Sequence, residues 1–487
     1  MTGGGQGVPV SGSVPVSDRA VVSGGVPASA QPHPEAPVGA PLRTPLRALA
    51  GAPPVPGAGM VAAGRLVRAR GPVWLVRLEG AGLGAVVEVE GAPGRWVRAQ
   101  VVGFDEDGVW VMPCGVVADI RPGATVRLVP LAERAPCPVA SAGRVLDAFG
   151  RCLRSGAAMP AGDEPVRGPA PAALQRPPIV ERVWTGLRVI DGLLPLARGQ
   201  RVGLFAGSGV GKSTLLGQVA AGVAADAVVV GLIGERGREV GEMVELLAAS
   251  SVPVTVVVAT SDEPALRRVR AAELATALAC AWRRRGAHCL LLLDSLTRYA
   301  RALREVALAS GEAPARRGYP ASVFARLPEV IERAGAAGTG AVTAVYTVLV
   351  DGGDMEEPIA DEVRGLVDGH WVLDRELARC GHYPAVDVLS SVSRLAGHVC
   401  GPEELDHARA VRAALALLSE HRDAIDLGLY VPGSRPALDL AIAVREGLRA
   451  FLVQGVASDG AQACAQGEVA AGETRAWLAA LAREVEP

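Results

Sequence analysis

The chain has 487 residues, 49% of them hydrophobic and only 3% aromatic, which allows two or three domains with cores built from Ala, Val and Leu. Its 49 basic and 51 acidic residues leave a formal charge of −2, so there is no excess positive field to bind a nucleic-acid polyanion. Eight cysteines include no Cys-x-x-Cys pair, which argues against a zinc or redox motif and suits apolar thiols such as Cys280 and Cys289 in a reducing cytosol.

The N-terminus, MTGGGQGVPV, lacks a basic stretch followed by an apolar one, so no secretory leader is expected. Residues 1–58 are rich in Pro, Gly and Ala and read as a disordered extension, because prolines recur too often for a helix or a central strand. From 59 to 155 short β-rich runs, such as WLVRL, GAVVEVEG and VWVMP, are split by Gly, Pro and Asp. Val87-Glu88-Val89-Glu90 alternates with period two, and the set predicts a small β-barrel. Residues 130–185 are Pro-rich and connective.

From Arg188 to Arg394 apolar runs at Val202–Phe205, Val228–Ile233, Val254–Ala259, Cys289–Leu293 and Val342–Leu349 alternate with helical stretches such as Leu266–Arg285. Runs of this length fit strands buried on both faces, so an α/β domain with a mainly parallel sheet is expected over 156–400. From 401 to 487 the pattern is helical. No run of about 18 apolar residues offers a membrane span.

Ala206-Gly207-Ser208-Gly209-Val210-Gly211-Lys212-Ser213-Thr214 follows one apolar strand and precedes a helical run. That is the context of a P-loop, whose glycines turn backbone N–H groups inward as an anion nest at a helix N-terminus. Gly207 to Thr214 would cradle the phosphates of ATP, Lys212 would meet the β- and γ-phosphates, and the Ser213 hydroxyl would bind Mg²⁺. Lys212 is also the only lysine in the chain, the other 48 basic residues being arginine. Codon bias explains those 48, whereas the exception falls where a compact ammonium on a slim stem is needed. Asp294 ends the strand HCLLLLDS and is placed to hold Mg²⁺ directly or through water. Glu235, after the run VGLIG, reads either as a carboxylate that polarises the attacking water or as a salt-bridge partner of a neighbouring arginine. Arg394 alone reads as a surface charge.

Taken together, TGLRVIDGLL, GLIGERGREV, LLLLDSLTRYARALRE, ARRGYPASVFARLP, YTVLVDGGDMEEPIADEVRGLVDGH and GHYPAVDVLSSVSR resemble the export ATPases of type III secretion systems, kin to the catalytic subunits of rotary ATP synthases. The resemblance implies a RecA-like P-loop core between an N-terminal β-barrel and a C-terminal helical domain. It implies that Glu235 is the catalytic glutamate and that Arg236 contacts the γ-phosphate region. Arg394 becomes an arginine finger given to a neighbouring subunit's ATP, and Tyr383 the aromatic stacked on adenine. Catalysis in trans implies a homohexameric ring, cytoplasmic at the inner-membrane base of the secretion apparatus. Its partners would be chaperones and export substrates, central stalk and stator or sorting-platform proteins, and, indirectly, the membrane export gate. VASAGRVLDAFGRCLRSG departs from the family pattern between barrel and core, and GVASDGAQACAQGEVAAGET after Gln454 is low in complexity.

The virulence injectisome is the favoured branch, on ADEVRGLVDGH and RVIDGLL, with flagellar export as the alternative. A hexameric RNA translocase would need Trp74, Trp96, Phe104 or Trp110 as stacking platforms on the barrel, where core positions are expected instead. A rotary synthase subunit is disfavoured by ARRGYP and by the lack of an acidic C-terminal segment. A scaffold without hydrolysis is disfavoured by the presence of Lys212, Glu235, Asp294 and Arg394 together.

Overall fold

The computed structural model describes residues 63–92, 94–115, 119–129, 133–248, 250, 252–455 and 467–485. The expected extension, 1–58, lies outside the described residues. Six antiparallel strands, β1 (Ala63–Arg70), β2 (Val73–Arg77), β3 (Val86–Glu90), β4 (Trp96–Asp105), β5 (Gly108–Pro113) and β6 (Thr125–Leu128), close a barrel in the order β1-β2-β5-β4-β3-β6. Val87 and Val89 point inward to Val76, Val101, Val111 and Val126, while Glu88 between them faces out and takes the Arg127 guanidinium at 2.6 Å. Of the four barrel aromatics expected in the core, only Trp74 is there. Trp96 lies under the Arg127 guanidinium at 4.0 Å, Trp110 lies under Arg68, and Phe104 is 64% exposed. Phe104 follows a register shift between Val101 and Gly103, which breaks the inward–outward alternation of β4.

The next segment was expected to belong with the barrel as far as 155. Instead β7 (Val145–Leu146) adds the last strand to the large sheet, pairing in parallel with β10 (Val254–Thr260). The remaining strands are β8 (Arg201–Ala206), β9 (Ala227–Glu235), β11 (His288–Asp294), β12 (Gly340–Leu349), β13 (Gly369–Leu373) and β14 (Val386–Ser393). The order is β14-β13-β8-β12-β11-β9-β10-β7, parallel except for the β13–β14 pair, and a ninth short strand, Gly335–Ala337, pairs antiparallel with β12 off this path. The five strands expected from apolar runs all form, at the sheet's centre, and their side chains are almost wholly buried on both faces.

Helix α4 (Ala265–Arg284) lies on this sheet with a face of Ala271, Ala272, Ala275, Ala279 and Leu278. Small residues let the helix approach so closely that a Cβ at Gly231 of β9 would stand 3.0 Å from the Ala275 Cβ. This packing lets small side chains fill most of a core whose aromatics are few, Phe205, Tyr299, Tyr319 and Tyr346 among them.

After β8 the chain passes through α2 (Lys212–Gly222) to β9, whereas after β12 it returns through α7 (Pro358–Leu366) to β13 on the other side. The strands β8 and β12 are neighbours with connections leaving in opposite directions, which opens a crevice at their C-terminal ends. The C-terminal helices α8 (Pro402–Glu420), α9 (Pro436–Ala443), α10 (Arg445–Leu452) and α11 (Gly467–Val485) pack beside α1 (Arg188–Leu193). Arg188 satisfies the last carbonyls of α10, donating to Phe451 at 2.9 Å and Val453 at 2.6 Å, and its guanidinium lies 4.9 Å from the Trp477 ring. Part of the low-complexity stretch, from Gly467, is therefore helical, because Ala-rich sequence tolerates helix wherever a neighbour buries one face. No helix among the described residues is long and apolar enough to cross a membrane.

Candidate functional site

Strand β8 ends at Ala206 in the crevice, and Gly207, Ser208, Gly209, Val210 and Gly211 turn into α2. Gly209 (φ +77°) and Gly211 (φ +89°) hold left-handed conformations that a side chain would strain, while buried Val210 anchors the loop beneath. The first residues of α2 are Lys212, Ser213 and Thr214, with the Ser213 and Thr214 side chains exposed to the crevice. Unpaired helix N–H groups and the dipole's positive end therefore face it too.

Lys212 reaches across to two carboxylates. Its Nζ stands 3.3 Å from Glu235 Oε1, at the end of β9, and bonds to Asp294 Oδ1, at the end of β11. The strands are adjacent, with Leu232 opposite Asp294, and both acids are buried. Arg298, one turn into α5 (Leu296–Ala309), pairs with Glu235 Oε2 at 3.0 Å, and Thr347 of β12 donates to Asp294 Oδ1 at 2.6 Å. Burial, and next the Asp294 charge, push the Glu235 carboxyl up to about 7 against the opposing pull of Lys212. Glu235 can thus hold or release a proton near neutrality.

The donors here are hard oxygens: the Ser213 hydroxyl and the Glu235 and Asp294 carboxylates. No group of three or more His, Cys, Asp or Glu among the described residues forms a ready-made metal cage. A sparse oxygen set beside an anion nest fits Mg²⁺, which keeps water and substrate phosphates as ligands.

Tyr383 lies on the other side of the P-loop, where a Cβ at Gly211 would come within 3.3 Å of its ring. The ring helps line a cavity of about 350 Å³ with Thr214, Gln218, Leu373, Pro384 and Gln454. Gln454 closes this cavity from the C-terminal helices: its N–H donates to the Tyr383 carbonyl at 2.8 Å and its amide to Gly186 O at 2.7 Å.

Two expected residues stand apart from the cluster. Arg236 is largely solvent-exposed and pairs with Glu239 at 3.4 Å; the guanidinium on Glu235 belongs to Arg298. Arg394 follows β14, whose register sets Val386 opposite Leu373 and Ser393 opposite Gly369. Because Leu373 also pairs with Ala206, the P-loop leaves the sheet at one edge and Arg394 leaves it at the other. The Arg394 N–H bonds to Asp368 O, and Asp368 grips Arg201 at the start of β8. A strand's length of roughly 15–20 Å therefore separates Arg394 from its own chain's P-loop.

Sequence reasoning missed Arg298, Thr347 and Gln454. A polar Thr inside the apolar run VYTVLV was a usable signal, and so was an arginine four residues beyond Asp294. Gln454 carried none, since only the docking of the C-terminal helices brings it to the cavity.

Comparison with known proteins agrees with this arrangement. Residues 186–393 match the ATP synthase alpha/beta family nucleotide-binding domain, 66–129 its beta-barrel domain, and 400–463 the T3SS EscN ATPase C-terminal domain. The flagellum-specific ATP synthase of Pseudomonas aeruginosa is 46% identical over 433 residues, 86% of this chain and 93% of that protein. The type 3 secretion system ATPase of Pseudomonas syringae pv. tomato is 43% identical over 406 residues, 80% and 89% of the two chains. The structure of assembled EscN from the enteropathogenic Escherichia coli type III secretion system superposes with a TM-score of 0.78 at 39% identity, covering 85% of this chain and all of that one. EscN solved with its central stalk EscO gives a TM-score of 0.74 at 38% identity over 85% of this chain. The chain belongs to the ATP synthase alpha/beta family, among the ATP-hydrolysing export ATPases of type III secretion systems, flagellar and virulence-associated.

Proposed function

We propose that this chain works as a homohexameric ring in which each ATP is bound by one subunit's P-loop and completed by the next subunit's Arg394. The observation that carries this reading is the position of Arg394 at the sheet edge opposite Lys212, where it is exposed. A guanidinium so placed serves a neighbour's site, and a head-to-tail contact of this kind closes into a ring when the rotation between subunits suits six copies.

Within one subunit the loop Gly207–Thr214 holds the phosphates, and Lys212 swings from its two carboxylates onto the β- and γ-phosphates. Glu235, freed from Lys212, orients the attacking water and takes its proton, which its raised pKa permits near neutral pH. Ser213 and Asp294 would hold Mg²⁺, which would supply charge neutralisation to the triphosphate. Arg394 from the neighbour stabilises charge developing on the transferred phosphoryl group. Arg236, exposed beside the cluster, turns toward the γ-phosphate only with nucleotide present. Tyr383 stacks on adenine in the cavity it lines.

The domain partition we propose is an extension over 1–58, a barrel from 59, a RecA-like core ending near 400 and helices over 401–487, with the barrel ending before β7. The relative EscN assembles and binds a central stalk, EscO. By the same reading this chain sits in the cytoplasm at the base of a secretion apparatus, contacts a stalk protein, and receives chaperones and export substrates for unfolding and delivery to the membrane gate.

The injectisome is the first reading for the branch. Flagellar export is the second, favoured by one specific observation: flagellum-specific relatives run from 43% to 48% identity, against 42% and 43% for those named type 3 secretion system ATPases. Deleting the gene separates them, since loss of motility marks the one and loss of effector secretion the other.

ATPase rate against protein concentration, with mass measured in parallel, tests the ring. A rate that climbs more steeply than linearly and levels off as hexamers form supports it; full specific activity in a monomer overturns it.

A further inference from the structure

Thr347 is a fully buried hydroxyl near the C-terminal end of a mostly apolar strand, whose other threonine, Thr343, is engaged with Gly199 N and His288 at the far end. The register sets Leu204 of β8 opposite Thr347, and Leu293 of β11 opposite Tyr346. Thr347 therefore stands between the strand that launches the P-loop and the strand that ends in Asp294. Its Oγ1 lies 2.6 Å from Asp294 Oδ1 and 3.3 Å from the Leu293 carbonyl. A hydroxyl has one proton to give, and the shorter bond to the charged oxygen takes it. Lys212 bonds to the same Oδ1. Both donors thus engage one carboxylate oxygen, and neither engages Oδ2. When a triphosphate draws Lys212 away, Thr347 stays, and Asp294 cannot turn about its Cβ–Cγ bond without breaking a buried charge-assisted bond.

We propose that Thr347 is a positioning residue for the metal carboxylate: it locks Asp294 so that Oδ2 is offered to MgATP, and it thereby sets how much Mg²⁺ tightens nucleotide binding. The inference rests on reading Asp294 as a metal carboxylate.

The test uses the full chain with Thr347→Val, Thr347→Ala and Thr347→Ser, and follows binding of a fluorescent ATP analogue in EDTA and across a Mg²⁺ series. Thr347→Val keeps the shape and loses the donor. The Mg²⁺ concentration for half-maximal tightening should rise at least about 10-fold, as for one lost charge-assisted bond, with affinity in EDTA unchanged. Thr347→Ser, which retains a hydroxyl, should stay within about twofold of wild type. If Val melts early, Ala is read in the same way. A wild-type Mg²⁺ response in both Val and Ala overturns the proposal, and so does a Ser variant as impaired as Val. A wild-type chain whose affinity ignores Mg²⁺ overturns the Asp294 reading instead.

Discussion

At the C-terminal edge of the large sheet, the half-buried Lys212 reaches the two buried acids Glu235 and Asp294, and Arg298 and Thr347 hold those acids from behind. At the opposite edge Arg394 stands in solvent, its guanidinium donating to the Arg364 carbonyl at 3.1 Å. The first region is a machine part complete in one chain. Its acids are desolvated, so electrostatic forces among them are strong and their geometry is rigid. The second has nothing to act on within its own subunit. An exposed arginine contributes little to stability, so the worth of this one lies in what it meets across an interface. In the proposed mechanism the contrast separates nucleotide holding, an intrachain property, from turnover, a property of the assembly.

The sharpest way to break the comparison is at the buried end. Lys212→Ala should abolish measurable turnover and nucleotide affinity together, because it removes the cation that meets the phosphates and leaves two buried carboxylates facing each other. Glu235→Gln should lose turnover to a similar degree yet bind ATP, a separation visible by equilibrium titration. Next in size, Arg394→Ala should lose about 10³-fold in kcat with ATP binding intact. Mixing it with Lys212→Ala should restore part of the rate, since mixed rings contain interfaces with both groups. Activity equal to wild type in Arg394→Ala alone would remove the finger from the mechanism.

Smaller effects sharpen the picture. Tyr383→Ala should raise KM about tenfold through lost stacking while Tyr383→Phe stays near wild type, as steady-state kinetics would register. The pH profile gives the last test. Glu235 accepts a proton only when ionised, and its pKa is raised to about 7, so kcat/KM should climb as pH rises through 7. A tenfold loss, roughly, is expected between pH 8 and pH 6. The same shift lifts the folded-state pKa above the unfolded 4.5, so the folded chain binds more protons between 4.5 and 7 and this group's contribution to stability falls as pH rises across that window. Thermal melts of wild type and Glu235→Gln over that range should therefore converge at low pH and separate at neutral pH.

Much of the fold was legible because the sheet is buried on both faces. Apolar runs such as Cys289–Leu293 and Val342–Leu349 have no other stable home, and each became a strand in the centre of the sheet. The P-loop was legible because its chemistry is local: nine consecutive residues carry the nest, the helix start and the lysine. Short or frustrated elements were not. The two-residue strand Val145–Leu146 exists only because β10 offers it an edge, and Phe104 is exposed because a register shift turns it outward. Arg236 is next to Glu235 along the chain, whereas Arg298 pairs with it because α5 starts from the end of β11, the strand beside β9.

What the residues alone determined is the identity of the proposed reacting groups, since a glycine-rich loop, a lone ammonium and strand-ending carboxylates are written in contiguous segments. What only the tertiary structure decided is their separation. Strand order placed Thr347 between the P-loop strand and the Asp294 strand, helix docking carried Gln454 to the Tyr383 cavity, and the reversed direction of β14 sent Arg394 to the far edge. Distances across a sheet follow from pairing and direction, which are chosen by burying surface over the whole chain, and no local stretch of sequence encodes them.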